Sequence, residues 1–202
     1  MERLNYPAFV DSGNIKIETE TVDEISFRYE LSLPILNGSE KTALVIMMNP
    51  AEADNVRSDS TIDRVIRYFE KNEMAFGRVV IGNLYPIYEQ NSANLQQHKE
   101  QLSKNLKHLE KLIKAIDHIY LGWGKPEKTN TEKLISLEYH ETALKVIDLA
   151  IDSGKTCCVR GIRDELYPMH LGRMGYKERM VECDLLGLKR KLEIKIELSN
   201  KS

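Results

Sequence analysis

The sequence predicts an α/β protein: a three-layer α/β/α sandwich with a four-stranded parallel core sheet, preceded by an N-terminal β-hairpin. Three observations predict it. Short apolar runs rich in β-branched residues recur at 43–48, 78–84, 118–121 and 155–161. Amphipathic segments with helical spacing lie between them, and that alternation calls for parallel strands covered on both faces. Ahead of them, two segments alternate apolar and polar residues with a short polar turn between, the pattern of a hairpin.

The hairpin is read from "NIKIETETV" and "ISFRYELSLPI", with the turn at Thr21 to Glu24. Asn37-Gly38-Ser39 is a turn that leads into the first core strand, "ALVIMM". That strand must stop at Asn49-Pro50, because proline cannot donate to a ladder and holds the preceding residue extended. A helix is expected from about Asp59 to Met74, with Ser58, Asp59 or Ser60 as cap and Ser60–Asp63 at capping-box spacing. Ile62, Val65, Ile66 and Phe69 form its apolar stripe.

"RVVIGNLYP" (78–86) reads as the second core strand, and residues 94–116 as a long helix with Leu102, Leu106, Leu109, Ile113 and Ile116 on one face. "HIYLGWGKP" (118–126) is the third strand. A helix through "TALKVIDLAIDSG" follows, with Gly154 as its C′ residue. "KTCCVRG" (155–161) is the fourth strand, and "IRDELYPMHLGRMGY" reads as a loop. The strict alternation in "RKLEIKIEL" predicts a late, exposed-edge strand at about 190–198. No linker or repeat interrupts the chain, so a single domain over 1–202 is expected.

Composition narrows the functional classes. Of the 202 residues 42% are hydrophobic and 30% charged, which suits a globular core and argues against disorder. No apolar run approaches the roughly 20 residues of a membrane span, and the N-terminal residues lack a signal-peptide layout. Cys157, Cys158 and Cys183 have no zinc or Cys-x-x-Cys spacing and read as reduced thiols of a cytoplasmic protein. The net charge of −2 hides an asymmetry: residues 1–60 carry −6 and residues 155–195 carry +4. A basic C-terminal face suits phosphates, although mixed surface charge is the plainer account.

In parallel α/β sheets, ligands bind beyond the carboxyl ends of the strands. Those ends here carry Asn49-Pro50, Asn83-Leu84-Tyr85-Pro86, Gly122-Trp123-Gly124 and, in the last loop, Pro168-Met169-His170. The ordered blocks "IMMNPAEADNVRSDSTIDRVIRYF", "VIGNLYPI", "YLGWGKP" and "YPMHLGR" resemble the family called domain of unknown function 1643 (DUF1643), over about residues 26–176. More distantly, the same blocks resemble the uracil-DNA glycosylase superfamily, which implies that superfamily's fold. Two positions depart from these patterns. His170 is followed by Leu171-Gly172 instead of proline, and Met47-Met48 replace a glycine region.

The glycosylase resemblance implies roles for individual residues. Asn49 matches the residue that positions an attacking water, and His170 the histidine over a base oxygen. Asn83 matches the reader of an extruded base's edge, and Trp123-Gly124 a structural strand end. Independently of resemblance, a carboxamide holds water but is a weak base, and an amide offers donor and acceptor to a base edge. Tyr85 or Tyr167 would stack on that base. Asn49 and His170 are thus the candidate catalytic residues, and Pro50, Asn83, Tyr85 and Tyr167 the candidate binding residues. Each has a plainer reading alone: an Asx turn for Asn49, a turn residue for Asn83, and a backbone-bonded loop histidine for His170.

The expected function is nucleobase binding, with base excision from DNA or a nucleotide as the reaction, DNA or a nucleotide as partner, and no cofactor or metal. A non-catalytic nucleotide- or nucleic-acid-binding module is the first alternative. The second is a metal-dependent phosphoesterase using Glu52, Asp54, Asp59 and Asp63, which read equally as acids around a helix N-terminus. His98, His108 and His118, ten residues apart, do not share a helical face.

Overall fold

A computed structural model describes residues 4–71, 75–89, 95–96, 98–125 and 131–201. The predicted end of the first helix at residues 72–74 lies outside them. The protein is a mixed α/β structure with one seven-stranded, mostly parallel sheet. In chain order the elements are β1 (Lys16–Val22), β2 (Ile25–Pro34), β3 (Thr42–Met47), α1 (Ser60–Glu70), β4 (Arg78–Asn83), α2 (Lys99–Ala115) and β5 (His118–Leu121). There follow α3 (Thr131–Ser136), α4 (Tyr139–Asp152), β6 (Cys157–Val159), the short pair β7 (Ile162–Arg163) and β8 (Tyr167–Pro168), β9 (Val181–Glu182) and α5 (Leu185–Ser199).

The sheet order is β1-β2-β4-β3-β5-β6-β9. Strands β4, β3, β5 and β6 are mutually parallel, while β2 joins β4 and β9 joins β6 antiparallel. The hairpin β1–β2 is therefore no appendage: β2 is an interior strand. That explains why both of its faces are buried: a β-bulge at Tyr29 puts Arg28 on the same side as Leu31 and Leu33, with Phe27 and Ser32 on the other. An alternating strand was expected to turn its polar residues to solvent; here the second face is covered too.

Side chains alternate along β3. Leu44 and Ile46 face Leu109 and Ile113 of α2 and Val146 and Ile147 of α4. Ala43, Val45 and Met47 face Ile62, Val65, Ile66 and Phe69 of α1. Gly154, at φ +63°, ends α4 as predicted. Asp59 caps α1, accepting from the backbone N–H groups of Thr61 and Ile62; Asp63 instead pairs with Arg67 at 2.8 Å, so Ser60–Asp63 is not a capping box.

Two segments depart from expectation. The loop 162–176 contains the β7–β8 pair and a 3-10 turn at Leu171–Arg173. The predicted C-terminal strand at 190–198 is instead part of helix α5. Leu185, Leu188 and Leu192, at helical spacing, bury one face within the cluster that contains α4, and Asp184 caps the helix through Gly187 N–H. Lys189 reaches Asp148 of α4 at 2.6 Å. Leucine, lysine, arginine and glutamate favour helix, and a docked face outweighs a two-residue period whose Ile194 and Leu198 stay exposed.

Candidate functional site

The parallel strands end on one side in a cleft of about 730 Å³. Met47, Met48 and Asn49 contribute from the end of β3, Asn83 from β4, Trp123 and Gly124 from β5, and Arg160 from the end of β6. The chain leaves β3 for β4 on one side, then crosses to β5 on the other. The cleft therefore sits at the switch in strand order, where departing loops diverge and leave space.

Local packing delivers each side chain. The β4 end is closed by Asn105 of α2, whose amide donates to the carbonyls of Asn83 at 2.7 Å and Leu84 at 3.1 Å. The β3 extension and the β4 exit run together, as Leu84 N–H donates to Met47 O and Tyr85 N–H to Met48 O. After β5, Gly124 N–H donates to Pro168 O at 2.8 Å, which brings the histidine loop against the strand end. A Cβ on Gly122 would lie 2.3 Å from Leu171 Cγ, so the loop beside His170 seats on bare backbone.

Four of the predicted residues meet in this cleft: Asn49, Asn83, Tyr167 and His170. Two do not line it. Pro50 is buried, its carbonyl accepting from Glu89 N–H and from the Asn49 amide. Tyr85 is 1% exposed in the core and donates to Leu137 O at 3.0 Å, and burial raises its pKa. It offers no face to a ligand, so the stacking role expected of it is corrected to a structural one. Sequence position alone cannot tell which way a residue two beyond a strand end turns.

The four that meet are differently committed. Asn49 donates both amide hydrogens to main chain, to Pro50 O at 2.9 Å and Glu89 O at 2.5 Å, which leaves its oxygen as the group to hold a water. His170 accepts from Gly172 N–H at 3.2 Å through Nδ1. A neutral ring then carries its proton on Nε2 and is a donor there. Tyr167 is buried, with its hydroxyl 3.1 Å from His140 Nε2 and Lys125 Nζ 5.3 Å from its ring centroid. Burial, with Lys195 and Lys125 nearby, lowers the His140 pKa to about 4.

Sequence reasoning noted the basic stretch 155–195, which supplies Arg160, Arg163 and Arg173, but missed Arg28 and Lys125. Arg28, Lys125, Arg160, Arg163 and Arg173 line the cleft with Asp59 and Glu89, Arg160 pairing with Glu178 and Lys125 with Asp164. Asp59 is spent internally. One oxygen accepts from Thr61 and Ile62, the other from Glu52 N–H at 3.2 Å and Ala53 N–H at 3.1 Å. Arg28 is 1% exposed, and its burial lowers its pKa. It donates to Ala53 O at 2.7 Å and to Asn83 Oδ1 at 3.3 Å. In the sequence Arg28 falls on the polar side of an alternating strand, which gives no sign of burial; the β-bulge at Tyr29 turns it to the face of Leu31 and Leu33.

The acidic residues of the phosphoesterase alternative do not converge. Asp54 accepts from Val56 and Arg57 N–H groups, Asp59 caps α1, and Asp63 pairs with Arg67. Among the described residues, the group of metal-capable side chains within 4.8 Å of one another is Glu18, Glu30 and His108, on a different surface. His98 packs on Phe27 and His118 on Phe76, so the three spaced histidines are separate.

The fold and site thus define an α/β protein with a cationic, amide-lined cleft beyond the ends of its parallel strands. The chain belongs to the DUF1643 family of proteins of unknown function, whose family model matches residues 28–170. That span begins at Arg28 and ends at His170, enclosing the cleft residues named so far except Gly172 and Arg173. No curated protein and no solved structure matches the chain. Among the described residues, no helix is long and apolar enough to cross a membrane.

Proposed function

We propose that the cleft binds a nucleobase, carried by DNA or a nucleotide, in a cytoplasmic single-domain protein of uracil-DNA glycosylase-like fold. The observation that carries this reading is the convergence of Asn49, Asn83 and His170 on one cleft rimmed by arginine and lysine. Neutral amide and imidazole groups recognise a base edge by hydrogen bonding, while the cationic rim attracts the attached phosphates. The chain's net charge of −2 does not oppose this, because binding responds to local field.

The reaction we assign is hydrolysis of the N-glycosidic bond. Water held by Asn49 Oδ1 adds its oxygen to the sugar carbon as the carbon–nitrogen bond breaks. The bond's electrons leave with the base, and the water's proton finally resides on the base. His170 Nε2–H donates to the developing negative charge on the base oxygen. The test is release of free base from DNA containing uracil, a mismatch or a modified base. Release that falls at least about tenfold in Asn49→Ala and His170→Ala supports it; no release from any of these substrates refutes it.

One observation favours a second reading, a base-binding module without turnover. Both Asn49 amide hydrogens are tied to main chain, and Asp59 is saturated by backbone N–H groups. Asn49 then offers a water only its amide oxygen, a weak base. Calorimetric binding of a nucleotide with no product over hours selects this reading over the first.

A further inference from the structure

Arg28 is buried at the inner wall of the cleft without a carboxylate partner. Its guanidinium meets Ala53 O at 2.7 Å, Asn83 Oδ1 at 3.3 Å and the Tyr88 ring at 5.6 Å from the centroid. No salt bridge to it occurs among the described residues, and its Nε has no hydrogen-bond partner. The Asp59 carboxylate acts on it through space but already receives four backbone N–H groups. A buried guanidinium in these surroundings is costly to the fold. Yet its position does something specific to its neighbour.

We propose that Arg28 is a positioning residue that sets the orientation of the Asn83 amide and makes the cleft select a keto edge over an amino edge. Guanidinium is donor-only, so the Asn83 atom facing it must be the oxygen. The other end of the amide, Nδ2, has no acceptor among the described residues, and Asn83 lines the cleft. The pocket therefore meets an N–H donor. Without Arg28 the amide is free to rotate by half a turn and present its oxygen instead, because the two ends have nearly the same shape.

A donor at that place is satisfied by an exocyclic oxygen, as in uracil or hypoxanthine. An exocyclic amine, as in cytosine or adenine, sets N–H against N–H and leaves a donor buried without a partner. The buried positive charge beside the amide acts in the same direction, since it favours electron density on that oxygen. The proposal rests on the cleft being a base site, and adds which edge it reads and what fixes that choice.

The experiment is calorimetric titration of UMP against CMP, and IMP against AMP, into the wild-type protein and the variants Arg28→Met, Arg28→Lys and Asn83→Asp, with thermal melts to confirm folding. Wild type is expected to favour UMP and IMP by about tenfold or more. Arg28→Met is expected to bring each pair within about twofold, and Arg28→Lys to keep most of the preference. Asn83→Asp, which removes the donor, is expected to abolish or reverse it.

Absence of binding by all four nucleotides to wild type overturns the base-site reading itself. A keto preference that survives intact in folded Arg28→Met overturns the role of Arg28 alone. Should Arg28→Met not fold, the other two variants decide. A preference kept in Arg28→Lys and lost in Asn83→Asp supports the inference, and one unchanged in Asn83→Asp overturns it.

Discussion

Gly124 lies directly beneath His170: a Cβ built on the glycine would sit 3.1 Å from the histidine Cβ, and the glycine holds φ +69°. The end of β5 and the histidine loop are thus fitted to each other through backbone that no side chain may occupy. Gly124→Ala combines left-handed strain with a tight contact. It is expected to cost about 1–3 kcal/mol in urea unfolding. In protein that remains folded, nucleotide binding should fall as the His170 loop is displaced.

Asp59 joins the α1 N-terminus to the 52–53 turn through four N–H groups. Asp59→Ala leaves both sets without acceptors, and a loss of about 2–4 kcal/mol is expected from the cap and the buried donors together. Equilibrium denaturation checks it. Added Mg²⁺ should not raise the wild-type melting temperature through this residue, since both carboxylate oxygens are occupied by backbone donors.

His140 makes stability depend on acid. Its pKa of about 4 in the folded protein lies below the ordinary value of 6.5. Between those values the unfolded chain binds more protons, so stability rises with pH through that window and is lost as pH falls from about 6.5 to 4. The contribution is roughly 1–3 kcal/mol. Unfolding free energies at pH 7 and pH 4.5 should converge measurably in His140→Gln relative to wild type.

Tyr85 and Tyr167 separate core from cleft. Tyr85→Phe removes the buried bond to Leu137 O and should cost about 1–2 kcal/mol of stability with nucleotide affinity unchanged. Tyr167→Ala alters the cleft wall and the seat of Lys125. It should weaken nucleotide binding by more than about threefold, read by calorimetry; equal affinities in the two variants would remove Tyr167 from the site.

Much of the architecture was legible in local pattern. The runs at β3, β4, β5 and β6 and the stripes of α1, α2 and α4 are periodic over whole elements, and Asn49-Pro50 and Gly154 mark ends by backbone chemistry. Residues 190–198 show the limit. A two-residue period is real there, but Leu185, Leu188 and Leu192 dock beside α4, and docking is a tertiary event.

The strand-end polar residues could be named from order along the chain, because parallel topology gathers strand ends on one side. Their neighbours could not. Tyr85 turned into the core, Asn49 spent its amide hydrogens on main chain, and Arg28 came to face Asn83 from 55 residues away. Periodicity records how a residue stands relative to its own element. Which side chain it meets depends on sheet order, and only the assembled sheet places β2 beside β4 and an arginine beside the amide that it orients.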